Sequence, residues 1–335
     1  MSHPALMMVK EMSKAIPNVW DMAESFHKDK GKELPEWDDK CYIPIHATLS
    51  ITQKTFGNTI CAALIAALAP WRLSKEVYRF DPDLEQVLYN QADVDMSIPC
   101  GVLDRLPFRC VYVESPGLGE NIHGFFVHFE HDIVKKRMEL RLITIPKDDI
   151  SIDSGWTPLI LCLDKGTIKE SFTTWYDESL TNLALFEGDI SIPTKEIRET
   201  LAASIGVYTI IISRALQLIL YVCAQNAEIH ETPLRTPRSS RIVDHGKEIR
   251  RWDVGLRIGR IIRASKGPAI TQGERVAIAG TGKRPHPRRG HWHHYWTGPR
   301  SEPSRRELVL RWVAPTFIGS QDDAPVTINI INDNK

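Results

Sequence analysis

His291 and His293 stand two residues apart in the run GHWHHYWTG, just after Arg288 and Arg289. On a β-strand this spacing puts both imidazoles on one side. Two imidazoles beside guanidinium groups can cleave a phosphodiester without a metal, one ring as base and the other as acid. The same pair can reach a metal, but zinc needs further ligands and none sits close by in sequence. A third use is contact with RNA. Arginines neutralise phosphates, and Tyr, His or Trp rings stack on bases at about 1–3 kcal/mol per base. Structural or RNA-contacting histidines are the reading favoured here. The candidate RNA-binding residues are Lys283, Arg284, Arg288, Arg289, His291, His293, Tyr295 and Arg311. His291 and His293 are the catalytic pair only in the alternative, ribonuclease reading. No cofactor and no metal ligand set is expected.

These residues need an element that holds them on one side. The stretch Lys283–Ile318 has four histidines, three tryptophans and eight Lys or Arg against Glu302 and Glu307. Its period-two alternation predicts a β-hairpin, apolar on one side and cationic on the other. Trp292, His294 and Trp296 share one side of the first strand; His291, His293 and Tyr295 share the other. Leu308, Leu310 and Trp312 form the apolar side of the second strand. Pairing Trp296 with Leu308 and Trp292 with Trp312 brings the apolar residues together, each pair adding up to about 1 kcal/mol. Trp292, Trp296 and Trp312 are therefore expected to be core. The connection through Gly298, Pro299 and Pro303 is too long for a two-residue turn, so the apolar face sets the register.

The net charge of zero hides an asymmetry. Residues 231–320 have 19 basic and 7 acidic residues, residues 1–230 have 22 and 32, and residues 321–335 have 1 and 3. A basic third beside an acidic remainder points to a polyanionic partner, or to the two parts docking on each other. Six scattered cysteines fit reduced, buried thiols, and the expected location is cytoplasmic. Ile205–Ala224 is long enough to test as a membrane span. Arg214 and Gln217 within it favour a buried core helix, so no membrane contact is expected.

Along the chain, residues 4–28 and 55–73 read as core helices, with Pro17 a kink or break. Phe108–Glu114, Gly124–Glu130, Met138–Ile145 and Thr157–Leu163 read as an antiparallel meander. A long apolar helix from Thr194 to Gln225 is expected to cover it. Near Trp252 the pattern fits a helix capped by Asp253, with a strand as the alternative, and Arg257, Arg260 and Arg263 line one helical side. Gly255 and Gly259, four apart, allow close packing. Ala277–Arg284 invites a phosphate-loop reading, but Ala277 and Arg284 occupy positions that need Gly and Ser or Thr. The tail offers a strand at Val326–Ile331. The expected fold class is α+β: a helical N-terminal part, an antiparallel β-meander covered by a long apolar helix, and a C-terminal basic β-hairpin module. The expected divisions are 1–95, 96–230, a linker at 231–249, the basic module at 250–320 and a tail at 321–335.

KRPHPRRGHWHHYWTGPR followed by RELVLRWVAPTFI closely resembles the C-terminal signature of the type V-A anti-CRISPR family that lowers the messenger RNA of the effector nuclease. Similarity extends to LPFRCVYVE (Leu106–Glu114), IHGFF (Ile122–Phe126) and LILYVCA (Leu218–Ala224). The resemblance implies a protein of phages, plasmids and other mobile elements. It implies recognition of the nuclease's nascent N-terminal peptide and translation-dependent degradation of the messenger. The partners implied are that peptide and the translating ribosome or its messenger RNA; since the sequence has no clear nuclease constellation, recruitment or stalling is favoured, with a host nuclease expected to do the cutting. No catalytic residue is carried over. The competing readings are a ribonuclease using His291 and His293, and a plasmid-encoded nucleic-acid-binding regulator.

Overall fold

The computed structural model describes residues 3–52, 59–93, 96–148, 150–152, 159–187, 194–232, 249–265 and 286–318. Lys283, Arg284, the Ala277–Arg284 segment, most of the 231–249 stretch and the Val326–Ile331 strand lie outside them.

Four helices come first: α1 (Pro4–Ala15), α2 (Val19–Asp29), α3 (Ile45–Thr52) and α4 (Thr59–Ser74). Pro17 falls in the break between α1 and α2. Then come β1 (Glu76–Phe80), α5 (Pro82–Tyr89), a 3-10 turn (Cys100–Arg105), β2 (Cys110–Glu114), β3 (Ile122–Asp132), β4 (Arg137–Pro146) and β5 (Leu159–Cys162). The helices α6 (Ile168–Glu187) and α7 (Thr194–Cys223) precede β6 (Ile229–Glu231), β7 (Arg250–Val254) and α8 (Leu256–Ser265). The chain then forms β8 (His286–Arg288), β9 (His291–Thr297), β10 (Glu307–Val313) and β11 (Thr316–Ile318).

Strands β2 to β5 pair antiparallel in succession. They are part of a seven-stranded mixed sheet of order β5-β4-β3-β2-β1-β7-β6. Both faces of its centre are covered, so β2 and β3 are buried along almost their whole length, polar residues of β3 included. Val111, Val113, Phe125, Val127, Leu140 and Leu142 meet the apolar side of α7. Tyr112, Phe126, Ile143 and Ile145 meet the N-terminal helices. All six cysteines are buried, and none forms a disulfide. Among the described residues no helix is long and apolar enough to cross a membrane.

Two findings differ from the sequence reading. Glu76–Phe80, inside the stretch expected to be helical, is a strand. It pairs parallel with β2 on one side and with β7 on the other. Arg250–Val254, expected at the start of a separate basic module, is thus an inner strand of the same sheet. Charge explains part of the fit: the buried Glu76 carboxylate accepts from Arg250 Nη1 at 2.9 Å and from Trp252 Nε1. Asp253 does not cap α8. It takes two bonds from Arg79 and one from Thr232, while Glu228 accepts from the backbone N–H groups of Arg257 and Ile258.

The strand-to-helix corner needs its two glycines. Gly255 has φ +72°, and a side chain at Gly259 would overlap the carboxylate of Asp81. That carboxylate caps α5 through the Asp83 N–H and takes two bonds of 3.0 Å from Arg263. Gly259→Ala is therefore expected to destabilise the protein by roughly 1–3 kcal/mol, read as a lower denaturant midpoint.

On the helical side of β3, Glu130 is fully buried; its Oε1 accepts from Ile45 N at 2.8 Å and so caps α3. Burial pushes its carboxyl up to about 8, against the partial relief from Arg141. The fold keeps a proton there that the unfolded chain loses near 4.5, so stability falls as pH rises from about 4.5 to 8. Glu130→Gln keeps the acceptor and removes the titration. Thermal melts across this range should be flatter for the variant, which should exceed the parent protein at pH 8.

Candidate nucleic-acid interface

β9 and β10 form the hairpin. Leu308 lies opposite Trp296, Leu310 opposite His294 and Trp312 opposite Trp292. β8 and β11 continue it, with Arg288 opposite Thr316. The inner side is anchored by Trp312, 1% exposed, whose ring meets Tyr221 of α7 edge-on at 5.6 Å. Its indole N–H donates to Gln91 Oε1 at 3.2 Å. Trp292 is half-buried and donates to Gln217 Oε1, inside α7, at 2.7 Å. Thus both indoles find acceptors, which a buried Trp needs.

The backbone of β10 is held on its outer edge as well. Gln225 N donates to Leu310 O at 2.8 Å. The Asn226 side chain bonds Trp312 twice, donating to its carbonyl at 2.9 Å and accepting from its N–H at 3.0 Å. In effect the residues that follow α7 act as a short third strand.

On the opposite side of the hairpin, Arg289, His291, His293 and Arg311 are exposed. Arg311 donates to the Gln225 amide at 3.2 Å, and among the described residues neither it nor Arg289 meets a carboxylate. His293 and Tyr295 form a tilted ring pair at 5.3 Å. Val309 is buried and Tyr295 half-buried, so this side is open at the Arg289–His293 and Arg311 positions rather than throughout. The side chain of Arg288 lies outside the described set.

One expectation is overturned. Trp296 is not core: it is 52% exposed, with the half-buried Arg306 guanidinium 5.5 Å from its ring centroid. The alternation placed it on the inner side correctly, but the supporting core ends before it. The α8 stripe also divides. Arg263 is bound to Asp81 and Asp83, and Arg257 approaches Glu228 at 4.0 Å; Arg260 stays exposed. That Gln91, Gln217, Gln225 and Asn226 hold the hairpin is not legible in the sequence, since isolated amides carry no periodic signal.

The family model described as AcrVA2-like, the anti-CRISPR type V subtype A2 family, matches residues 78–320. Protein FinQ of Escherichia coli is 25% identical over 283 residues, covering 79% of this chain and 76% of FinQ. The crystal structure of AcrVA2 superposes with a TM-score of 0.59, covering 95% of this chain and 100% of that one at 17% identity. At that identity the similarity is one of fold.

Asn226→Ala removes both bonds to Trp312 and leaves two backbone groups without partners. The expected cost is about 1–3 kcal/mol, with faster hydrogen exchange concentrated at the Trp312 amide.

Proposed function

Because the chain belongs to the AcrVA2-like family of type V subtype A2 anti-CRISPR proteins, we propose that it recognises the nascent N-terminal peptide of a CRISPR effector nuclease and causes loss of the nuclease's messenger RNA during translation. The observation that carries this reading is the extent of the family match, which takes in the sheet, α7 and the whole hairpin. Arg289 and Arg311, which meet no carboxylate among the described residues, support it.

In this reading the two tasks fall to different parts of one protein. The outer side of the hairpin rests on ribosomal or messenger RNA through Arg289, His291, His293, Tyr295 and Arg311; Lys283, Arg284 and Arg288 are assigned the same role from the sequence alone. For the peptide, β5 is the edge at which an extended segment can add to the meander. Holding peptide and RNA together raises the effective concentration of the inhibitor at the ribosome making its target. A recruited host nuclease cuts the messenger. The cationic residues of the hairpin bind and orient the RNA, and no bond-breaking step is assigned to them.

The test is co-expression with a type V-A nuclease, measuring nuclease transcript against a control transcript. Synonymous recoding of the first codons should leave the transcript loss intact, whereas changing the encoded peptide should abolish it. The reverse pattern would mean that the messenger's sequence, not the peptide, is read. Arg289→Glu with Arg311→Glu should fold normally by circular dichroism and reduce transcript loss at least tenfold.

A further inference from the structure

The inner side of the hairpin extends beyond the core that supports it. Trp312 and Leu310 are buried and Leu308 is half-buried, with its methyl 3.7 Å from where a Cβ on Gly101 would sit. Trp296, next in line, keeps about half its surface in water under the Arg306 guanidinium. An indole left exposed beside a cation is a ready stacking surface for a planar, anionic ligand.

The free edge of β9 lies beside it. The outward groups of β10 are those of Leu310 and Trp312, which bond Gln225 and Asn226. By the alternation of an antiparallel ladder, the groups of β9 that point away from β10 are those of Trp292, His294 and Trp296. Among the described residues no strand pairs with that edge. It joins the cationic outer side to the exposed indole on the inner side.

We propose that an unpaired stretch of RNA wraps this edge of β9, with its phosphates against Arg289, His291, His293 and Arg311 and one base stacked on Trp296. This deepens the RNA reading above and rests on it. Charge selects the ligand class: the guanidinium groups of the exposed Arg289 and Arg311 meet no carboxylate among the described residues, so the complementary ligand is a polyanion. Geometry selects the single strand. Bases in a duplex are stacked on their neighbours and cannot reach a ring on the far side of a β-edge, whereas a splayed base can. The unpaired N–H and C=O groups of the edge can then bond base edges, as a neighbouring strand would bond them. Trp296 becomes the residue that separates single-stranded from duplex RNA, and the outer cations bind both.

The experiment uses the full chain and a short fluorescein-labelled RNA, single-stranded or annealed to its complement, with affinity read by fluorescence anisotropy. Trp296→Ala should weaken single-strand binding about tenfold, within the range set by base–aromatic stacking. It should leave duplex binding unchanged, and Trp296→Phe should restore most of the loss. Arg289→Glu with Arg311→Glu should weaken both. If that double variant loses binding and Trp296→Ala binds single strands like the parent, the RNA reading stands and the role of Trp296 is refuted. If the parent protein binds neither RNA, the RNA reading itself fails. If Trp296→Ala instead weakens binding of a synthetic nuclease N-terminal peptide while RNA binding is intact, the indole belongs to a peptide site and the proposal is overturned.

Discussion

The seating of Trp312 against α7 decides what the hairpin shows to solvent. Burying an indole removes about 200 Å² of apolar surface from water, worth about 5 kcal/mol before ordering costs. Tyr221, Gln91 and Asn226 make that burial specific, meeting the ring, its N–H and the backbone in turn. In a strand with period two, turning Trp312 inward turns Arg311 outward. Through the register with β9, the same choice turns His291 and His293 outward too. A slip of one residue would bury the arginine and expose the indole, so one well-packed ring holds the whole cationic side in place.

The helix that receives Trp312 also covers the sheet. Ile212, Leu216, Ile219 and Leu220 of α7 share one core with Val111, Phe125 and Leu140 of the meander and with Leu310 and Trp312 of the hairpin. The hairpin is therefore tied to the sheet through a common wall rather than through a linker. β7 ties the same region to the sheet a second time, between β1 and β6.

What was legible in the sequence follows from the range of each interaction. The register of the hairpin could be read because its indoles and leucines alternate locally on two neighbouring strands. The meander could be read from short apolar runs set apart by turn residues, α7 from one long apolar stretch, and the Gly255–Gly259 spacing did mark a close approach. The parallel pairing of β1 with β7 could not. These are five-residue strands about 170 residues apart, and parallel pairing leaves no turn signal between them. The Asp253 cap failed because a more distant carboxylate, Glu228, had a better approach to the start of α8. Trp296 was misjudged for another reason. Alternation reports which side a residue faces, whereas burial depends on how far the opposing surface extends.

The basic third of the chain prompted two readings, docking on the acidic part or binding an outside polyanion, and its arginines divide between them. Where the sheet or α8 brings an arginine opposite an acid, its charge is used within the fold. Arg250 meets Glu76 and Glu231, and Arg263 meets Asp81 and Asp83. Among the described residues no carboxylate meets Arg289 or Arg311, although the exposed Glu307 lies on the same outer side of β10. The strands of the hairpin pair with each other, and across the ladder Arg311 faces the imidazole of His293 rather than a carboxylate. Composition alone cannot separate the two sets, since both come from the same basic stretch. Pairing partners do: an arginine beside an acidic strand contributes to folding, and one on a hairpin of aromatics and histidines keeps its charge for a ligand. Arginines of the first kind are partly in water but their partners Glu76 and Asp81 are buried, so the pairs fix registers and keep two buried carboxylates from standing without partners. The second kind costs the fold almost nothing to keep open, because a solvated guanidinium loses no hydration until a phosphate replaces it.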